Sequence, residues 1–192
     1  PTMKIDYSLT GKRALVAGGT QGIGRATAEA FAAAGASVCV VGRNQDGLDQ
    51  VLAGLDRSEG QTHDALCVDF ARSGEASAAA DAYAAAHGPI HVLLNNTGGP
   101  PAGFVIDAEP RELIEWMERH LATFQGLVRA VAPGMREAEY GRIINVISTS
   151  VITPIKGLGI SNTVRGAVAN WGRTLAVELG GFGITVNNIL PG

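Results

Sequence analysis

Short apolar runs rich in β-branched residues alternate with longer stretches of helical periodicity, and this alternation constrains the fold most. The apolar runs, interpreted as strands, are 13–17, 37–41, 63–68, 92–96, 142–147 and 184–189. The stretches between them, interpreted as helices, are 23–34, 45–55, 74–86, 112–131 and a helix within 158–179. Such alternation is typical of a parallel sheet covered by helices on both faces. We therefore predict an α/β fold with a doubly wound parallel sheet, arranged as a three-layer sandwich.

The composition fits one globular domain. The 192 residues contain no repeat, linker or block of charge, so we predict a single domain over residues 1–192. The formal net charge of −3 gives no reason to expect a nucleic acid or an anionic membrane as a partner. No apolar run approaches the length of a membrane span, about 18 residues, and residues 1–4 lack a signal-peptide core, with Met3 as the expected start. We therefore expect a cytoplasmic protein.

The cysteines and histidines predict neither a disulfide framework nor a metal site. Cys39 and Cys67 lie inside apolar runs, and we expect both to be buried as small hydrophobic residues. The four histidines lack the spacing of metal ligands: His63, His87, His91 and His120. We therefore expect no bound metal.

A glycine-rich turn separates the first strand from the first helix. Glycines permit a tight turn and a close approach of the backbone to a pyrophosphate, and the following helix N-terminus offers free N–H groups. We predict a dinucleotide-binding loop, with a purely structural turn as the alternative. The candidate residues in this loop are Gly18, Thr20, Gln21, Gly22, Ile23 and Gly24. Arg25, inside the helix, is expected to face solvent.

The end of the second strand indicates which dinucleotide is bound. NAD-binding proteins of this architecture usually place an acidic residue there for the ribose 2′-OH. This chain has Arg43 and Asn44 and no carboxylate at that point. A guanidinium suits a 2′-phosphate because it is planar and permanently charged. We predict NADP(H) as the cofactor in preference to NAD(H), with a solvated surface charge as the alternative for Arg43.

Several separate stretches resemble the classical short-chain dehydrogenase/reductase family. They are the glycine loop at 17–24, Asp69 after the third strand, the Asn-Asn-Thr-Gly run at 95–98, the strand at 142–148 and the Pro-Gly ending at 185–192. The resemblance implies a Rossmann-type NAD(P)-binding domain that acts on a ketone or secondary alcohol. Family members continue past the Pro-Gly into a substrate lid and a last strand, so we expect those parts to be absent here.

The resemblance also implies cofactor-binding residues beyond the glycine loop. They are Asp69, Phe70, Asn96, Thr97, Gly98, Pro191 and Gly192. Homodimers or homotetramers formed through the long helices are implied as well. Trp116 and Trp171 on those helices are therefore candidates for an interface, with packing against the sheet as the alternative.

The catalytic residues depart from the family pattern. Ser148 matches the family's Ser, but Ser161 and Arg165 stand where the Tyr-x-x-x-Lys pair is expected, and His120 falls near the family's Asn. The resemblance therefore implies a variant tetrad of His120, Ser148, Ser161 and Arg165, with Arg165 also holding the cofactor. Ser161 and Asn162 have an alternative role as caps of the following helix, and His120 as a hydrogen-bonded, partly buried side chain.

The departure leaves two functional hypotheses open. A serine hydroxyl is too weak an acid to replace tyrosine, whose ordinary pKa is about 10, whereas histidine has an ordinary pKa near 6.5. In the first hypothesis the protein reduces a ketone, or a 3-oxoacyl thioester-like substrate, with the proton coming from His120 or water. Arg165 then stabilises negative charge. In the second, it binds NADP(H) without turnover and acts as a sensor or oligomer partner.

Overall fold

Six parallel strands form one sheet in the order β3-β2-β1-β4-β5-β6. The computed structural model describes residues 7–192, with the backbone alone for Ser73, so the interpretation of residues 1–4 lies outside the described residues. The strands are β1 (Arg13–Ala17), β2 (Ser37–Gly42), β3 (Asp64–Cys67), β4 (Val92–Asn95), β5 (Gly141–Val146) and β6 (Ile184–Ile189). The predicted doubly wound α/β fold is confirmed.

Six α-helices connect the strands and cover the sheet. They are α1 (Gly22–Ala33), α2 (Gln45–Gly54), α3 (Ser73–His87), α4 (Pro110–Met117), α5 (Thr123–Glu137) and α6 (Gly159–Leu179). One face of the sheet packs on α1 and α2, and its core includes Val16, Val40 and Leu48. The other face packs on α3, α5 and α6, and its core includes Leu127 and Ile143. Apolar residues therefore alternate between the two faces, as a sheet buried on both sides requires.

The predicted long helix at 112–131 differs from the structure. It consists of α4 and α5, joined without a break by a π-helical segment, Glu118–Ala122 (the π turn), and it runs from residue 110 to residue 137. A capping box between Glu109 and Glu112 starts α4. A π turn adds one residue to a helical turn and shifts every later side chain around the axis. It thereby buries His120.

Three further expectations can be compared with the described residues. Cys39 is buried, but Cys67 is exposed, because it ends the edge strand β3. Arg25 faces solvent and pairs with Glu29, as predicted. Within residues 7–192, no helix combines the length and hydropathy needed to cross a membrane.

The helix-cap interpretation of Ser161 is wrong. The N-cap of α6 is Leu158, so Ser161 lies inside the first turn, where its side chain is buried. Asn162 donates instead to the carbonyl of Ile155, at 2.9 Å. Trp171 packs against the core and donates its Nε1–H to Gln125 at 2.7 Å, which agrees with packing against the sheet.

Candidate functional site

A cavity of about 230 Å³ opens at the carboxyl ends of β1 to β4. The chain continues from β1 to one side of the sheet, towards β2, and from β4 to the other side, towards β5. Doubly wound sheets bind their ligands at this point, where the strand order reverses. The lining residues are Gly18, Thr20, Gln21, Gly42, Arg43, Val68, Asp69, Phe70, Ala71, Thr97, Gly98, Gly99, Trp116 and Arg119. Eight of these residues are among the predicted cofactor ligands: Gly18, Thr20, Gln21, Arg43, Asp69, Phe70, Thr97 and Gly98.

The glycine loop is shaped by close backbone approaches. Gly18 has φ +61°, and a Cβ on it would lie 2.7 Å from the backbone oxygen of Asn96. Asn96 itself does not line the cavity; its Nδ2 donates to the Gly18 carbonyl at 3.1 Å and fixes the loop to the end of β4. A Cβ on Gly24 would collide with that same carbonyl. Side chains larger than hydrogen are therefore excluded at both positions.

The N-terminus of α1 is free to accept an anion. Its N-cap, Gln21, makes no side-chain capping bond, and the first turn of α1 contains no acidic residue. Gly22 and Ile23 are solvent-exposed and are not among the residues that line the cavity. Uncapped N–H groups and the helix dipole favour a phosphate at this end. The loop thus fits the dinucleotide that its sequence predicts.

Arg43 and Asn44 follow β2 and differ in what they offer. Arg43 is exposed, lines the cavity, and makes no ion pair or hydrogen bond with the described residues. Asn44 lies outside the cavity lining, and its Oδ1 caps α2 by accepting from the Gly47 amide at 3.0 Å. Asp69 also has a backbone partner, since its Oδ1 accepts from Ala71 at 3.0 Å. Arg43 is therefore the cavity side chain whose charge is free for a ligand.

Arg165 joins α6 to the carboxyl end of β5. Its Nη1 donates to the carbonyls of Val146 and Ile147, each at 3.1 Å, and its Nε donates to Ser161 Oγ at 3.3 Å. A Cβ on Gly99 would lie 3.3 Å from its Nη2, so the guanidinium also borders the cavity lining. Burial lowers the pKa of Arg165 from its ordinary value, and no carboxylate among residues 7–192 pairs with it. Two of the predicted catalytic residues are thus in direct contact.

Ser148 lies just after β5 and is half-buried. Its Oγ accepts a hydrogen bond from the Ser150 amide at 3.1 Å, which holds the start of the loop. Pro191 lies beside this loop, because its carbonyl accepts from the Thr149 amide at 3.0 Å. Pro191 and Gly192 therefore border the Ser148 loop and are not among the residues that line the cavity.

His120 is buried in the π turn and is neutral at physiological pH. Burial, with the Arg165 charge as the next cause, lowers the pKa of His120 to about 4. Its Nδ1 lies 3.2 Å from the Trp116 carbonyl, which can only accept, so Nδ1 carries the proton. Its Nε2 is buried and has no hydrogen-bond partner among residues 7–192. His120 therefore presents a bare acceptor nitrogen rather than a ready proton donor.

Six lining residues are not among the predicted cofactor ligands: Gly42, Val68, Ala71, Gly99, Trp116 and Arg119. Trp116 and Arg119 lie on α4 and the π turn, three residues apart, and both line the cavity. The available signal was their spacing on one helical face just before His120. It was overlooked because the predicted helix was assigned to an interface rather than to the cofactor edge of the sheet.

Comparison with known proteins agrees with this geometry. A family model described as short chain dehydrogenase matches residues 12–192. A short chain dehydrogenase of Pseudocercospora fijiensis is 33% identical over 192 residues, covering 98% of this chain and 62% of that protein. D-threitol dehydrogenase of Mycolicibacterium smegmatis is 33% identical over 193 residues, covering 99% of this chain and 73% of that protein.

A solved structure extends the likeness to three dimensions. L-sorbose reductase from Gluconobacter frateurii, crystallised with NADPH and L-sorbose, superposes with a TM-score of 0.92 at 30% identity. The match covers 98% of this chain and 72% of the reductase. The chain thus spans less than two thirds of the Pseudocercospora relative and about three quarters of the other two. The fold, the glycine loop and these matches together show that the chain belongs to the short chain dehydrogenase family.

Proposed function

We propose that the protein is an NADP(H)-dependent oxidoreductase that transfers a hydride to or from a ketone or secondary alcohol. The observation that carries the proposal is one cavity lined both by the glycine loop and by an unpaired Arg43. The family and the NADPH-bound reductase of closely similar fold support it. The proposal also includes assembly as a homodimer or homotetramer and a cytoplasmic location. The small formal net charge of −3 is compatible with both.

The cofactor preference follows from charge. A 2′-phosphate carries about two negative charges, and a guanidinium binds such a group through charge-assisted hydrogen bonds. Arg43 has no competing partner among the described residues. No acidic residue occupies the end of β2, where one would bind the 2′-OH of NAD(H). NADP(H) is therefore favoured over NAD(H).

The substrate would lie beside Ser148, Ser161 and Arg165. When bound, the cofactor supplies the hydride. The Ser148 and Ser161 hydroxyls would orient the substrate oxygen, and Arg165 would stabilise negative charge that develops on it. Because His120 is neutral, with a pKa of about 4, we assign the proton to a water molecule that donates one hydrogen to the substrate alkoxide and the other to His120 Nε2. This water recovers the proton that it gives up from the surrounding solvent.

A second function, binding of NADP(H) without turnover, is favoured by one observation. Two of the three Arg165 nitrogens already have partners in the chain, since Nη1 donates to the carbonyls of Val146 and Ile147 and Nε donates to Ser161. A guanidinium held in this way positions α6, and fewer of its donors are free for a cofactor or substrate. Such a protein would act as a sensor of the cofactor or as a partner in an oligomer.

The decisive experiment separates binding from turnover. NADPH and NADH binding is measured by fluorescence, followed by NADPH oxidation at 340 nm with a panel of ketones and 3-oxoacyl thioesters. The enzyme proposal predicts turnover that falls at least tenfold in Ser148→Ala and Arg165→Ala. Tight NADPH binding without oxidation of any ketone would favour the second function. Absence of NADPH binding would overturn both.

A further inference from the structure

Arg119 brings a second arginine to the cavity that contains Arg43. It belongs to the π turn that follows α4, and its side chain is 29% exposed. The sequence resemblance assigns it no role, and it takes no part in the proposed hydride transfer. Its position on the cofactor side of the sheet therefore calls for a separate explanation.

The Arg119 guanidinium is anchored on one side and unsatisfied on another. Its Nη2 lies 2.7 Å from Glu115 Oε1, and its Cζ lies 5.2 Å from the centre of the Trp116 ring. Its Nε is buried and lacks a hydrogen-bond partner among residues 7–192. An unmatched buried N–H group costs free energy, and the cost is larger for a charged group. Because Nε is closed to solvent, a ligand oxygen in the cavity would be bound by the Nη1 end of the guanidinium, which has no hydrogen-bond or ion-pair partner among residues 7–192.

The charge of the cavity favours an anionic ligand. Arg43, Arg119 and Asp69 are the charged residues among those lining it, so the positive side chains outnumber the negative one. NADP(H) carries negative charge at two places, the pyrophosphate and the 2′-phosphate. If only Arg43 and the N-terminus of α1 bound these phosphates, part of their negative charge would have no positive partner.

We propose that Arg119 is a second phosphate-binding arginine of the dinucleotide site, held in place by Glu115 and Trp116. This inference rests on the proposed NADP(H) binding and adds a specificity-determining residue to it. The shared chemistry is a phosphate oxyanion, supplied either by the pyrophosphate or by the 2′-phosphate.

The test measures the affinity of the full chain for three probes by calorimetry. They are 2′,5′-ADP, which carries one phosphate at 2′ and one at 5′, 5′-ADP, which carries a 5′-diphosphate alone, and adenosine, which carries no phosphate. We expect Arg119→Gln to weaken phosphate-bearing probes about tenfold or more and to leave adenosine within about twofold. Loss confined to 2′,5′-ADP identifies the 2′-phosphate as the partner, and loss for both probes identifies the 5′-phosphates.

Two further variants distinguish charge from packing. Arg119→Lys keeps the charge and should recover part of the lost affinity for the phosphate-bearing probes. If Arg119 acted only by packing, this recovery would not be selective for those probes. Arg136→Gln is the matched control, because Arg136 also lies over an aromatic ring, with its Cζ 4.8 Å from the centre of the Phe182 ring, and does not line the cavity. It should leave all affinities unchanged. The unfolding midpoint of each variant checks that the fold is intact.

The contrary outcomes are distinct. If wild-type protein binds 2′,5′-ADP and Arg119→Gln binds it equally well, the role of Arg119 is overturned and NADP(H) binding stands. If Arg119→Gln weakens adenosine as much as the phosphates, Arg119 acts by stacking or packing, and the phosphate role is overturned. If wild-type protein binds neither NADPH nor 2′,5′-ADP, the proposed function fails, and this inference fails with it.

Discussion

At the scale of single residues, Arg43 is the side chain that we propose determines the choice of cofactor. Because it is exposed and unpaired among the described residues, its removal should leave folding stability within about 0.5 kcal/mol. We expect Arg43→Ala to weaken NADPH binding about tenfold to a hundredfold and to change NADH binding little. Dissociation constants for both cofactors measure this. Equal weakening of NADPH and NADH would show that Arg43 does not contact the 2′-phosphate.

His120 predicts a pH dependence of stability. Its folded pKa of about 4 lies below the ordinary value of 6.5, so the unfolded chain binds the proton more tightly. This contribution is complete above pH 6.5 and is lost as the pH falls towards 4. The size of the shift corresponds to about 3 kcal/mol. His120→Asn should therefore lose less stability than wild type between pH 7.5 and pH 4.5.

Urea unfolding at the two pH values measures this difference. Burial also lowers the pKa of His63 and His91, so part of the wild-type pH dependence has the same sign and persists in the variant. Comparing wild type with His120→Asn removes that shared part. An identical loss of stability in both proteins would contradict a buried, neutral His120.

The sequence predicted which residues lie at the site better than it predicted what those residues do there. Eight of the predicted cofactor residues line the cavity, because the end of a parallel strand can be located from the strand pattern. They are Gly18, Thr20, Gln21, Arg43, Asp69, Phe70, Thr97 and Gly98. The state of His120 was not readable, since its pKa depends on burial and on the Arg165 charge. The carbonyl partners of Arg165 were equally hidden, because they arise from tertiary contact.

At the scale of elements, a chain of asparagine side chains crosses three strands. Asn95 Nδ2 donates to Asn145 Oδ1 at 2.9 Å, and Asn145 Nδ2 donates to Asn188 Oδ1 at 3.0 Å. The three residues are aligned in register on β4, β5 and β6. Gly172 of α6 lies directly above them, and a Cβ there would be 2.8 Å from both Asn145 Nδ2 and Asn188 Oδ1. The absence of a side chain at Gly172 lets α6 approach the sheet.

Gly172→Ala should therefore destabilise the fold although alanine favours helix. We expect a loss of about 1–3 kcal/mol, because the new methyl group displaces buried hydrogen-bonding side chains. Gly166→Ala on the same helix meets nothing within 4 Å and should instead stabilise by about 0.5–1 kcal/mol. Urea unfolding of the two variants measures the contrast. Equal effects would mean that α6 moves away from the sheet without cost.

The elements were predicted more completely than their junctions. Each of the six strands was located within about two residues, since apolar β-branched runs have a strong local signature. The π turn at Glu118–Ala122 was not foreseen, because one extra residue in a helical turn leaves no pattern in the sequence. Trp116 and Arg119 were not predicted at the cavity, because the sequence pattern does not show which edge of the sheet this helix meets.

At the scale of the whole molecule, the cavity exists only when distant segments meet. Its lining comes from four separate parts of the chain: the glycine loop, the end of β2, the segment after β3, and the stretch from 97 to Arg119. Unfolding separates all of them, so the unfolded chain has no such site. The proposed cofactor should therefore bind the folded state alone and stabilise the whole domain.

The stabilisation of the folded state by NADPH can be measured directly. At a free NADPH concentration of about 100 times its dissociation constant, the free energy of unfolding should rise by about 2.7 kcal/mol. NADH at the same concentration should stabilise less, and Arg43→Ala should reduce the NADPH effect towards that of NADH, because the 2′-phosphate contact is lost. Urea unfolding at fixed ligand concentration reports each value. An unchanged midpoint in the presence of bound NADPH would mean that NADPH binds the unfolded chain as tightly as the folded one, and therefore not at this assembled cavity.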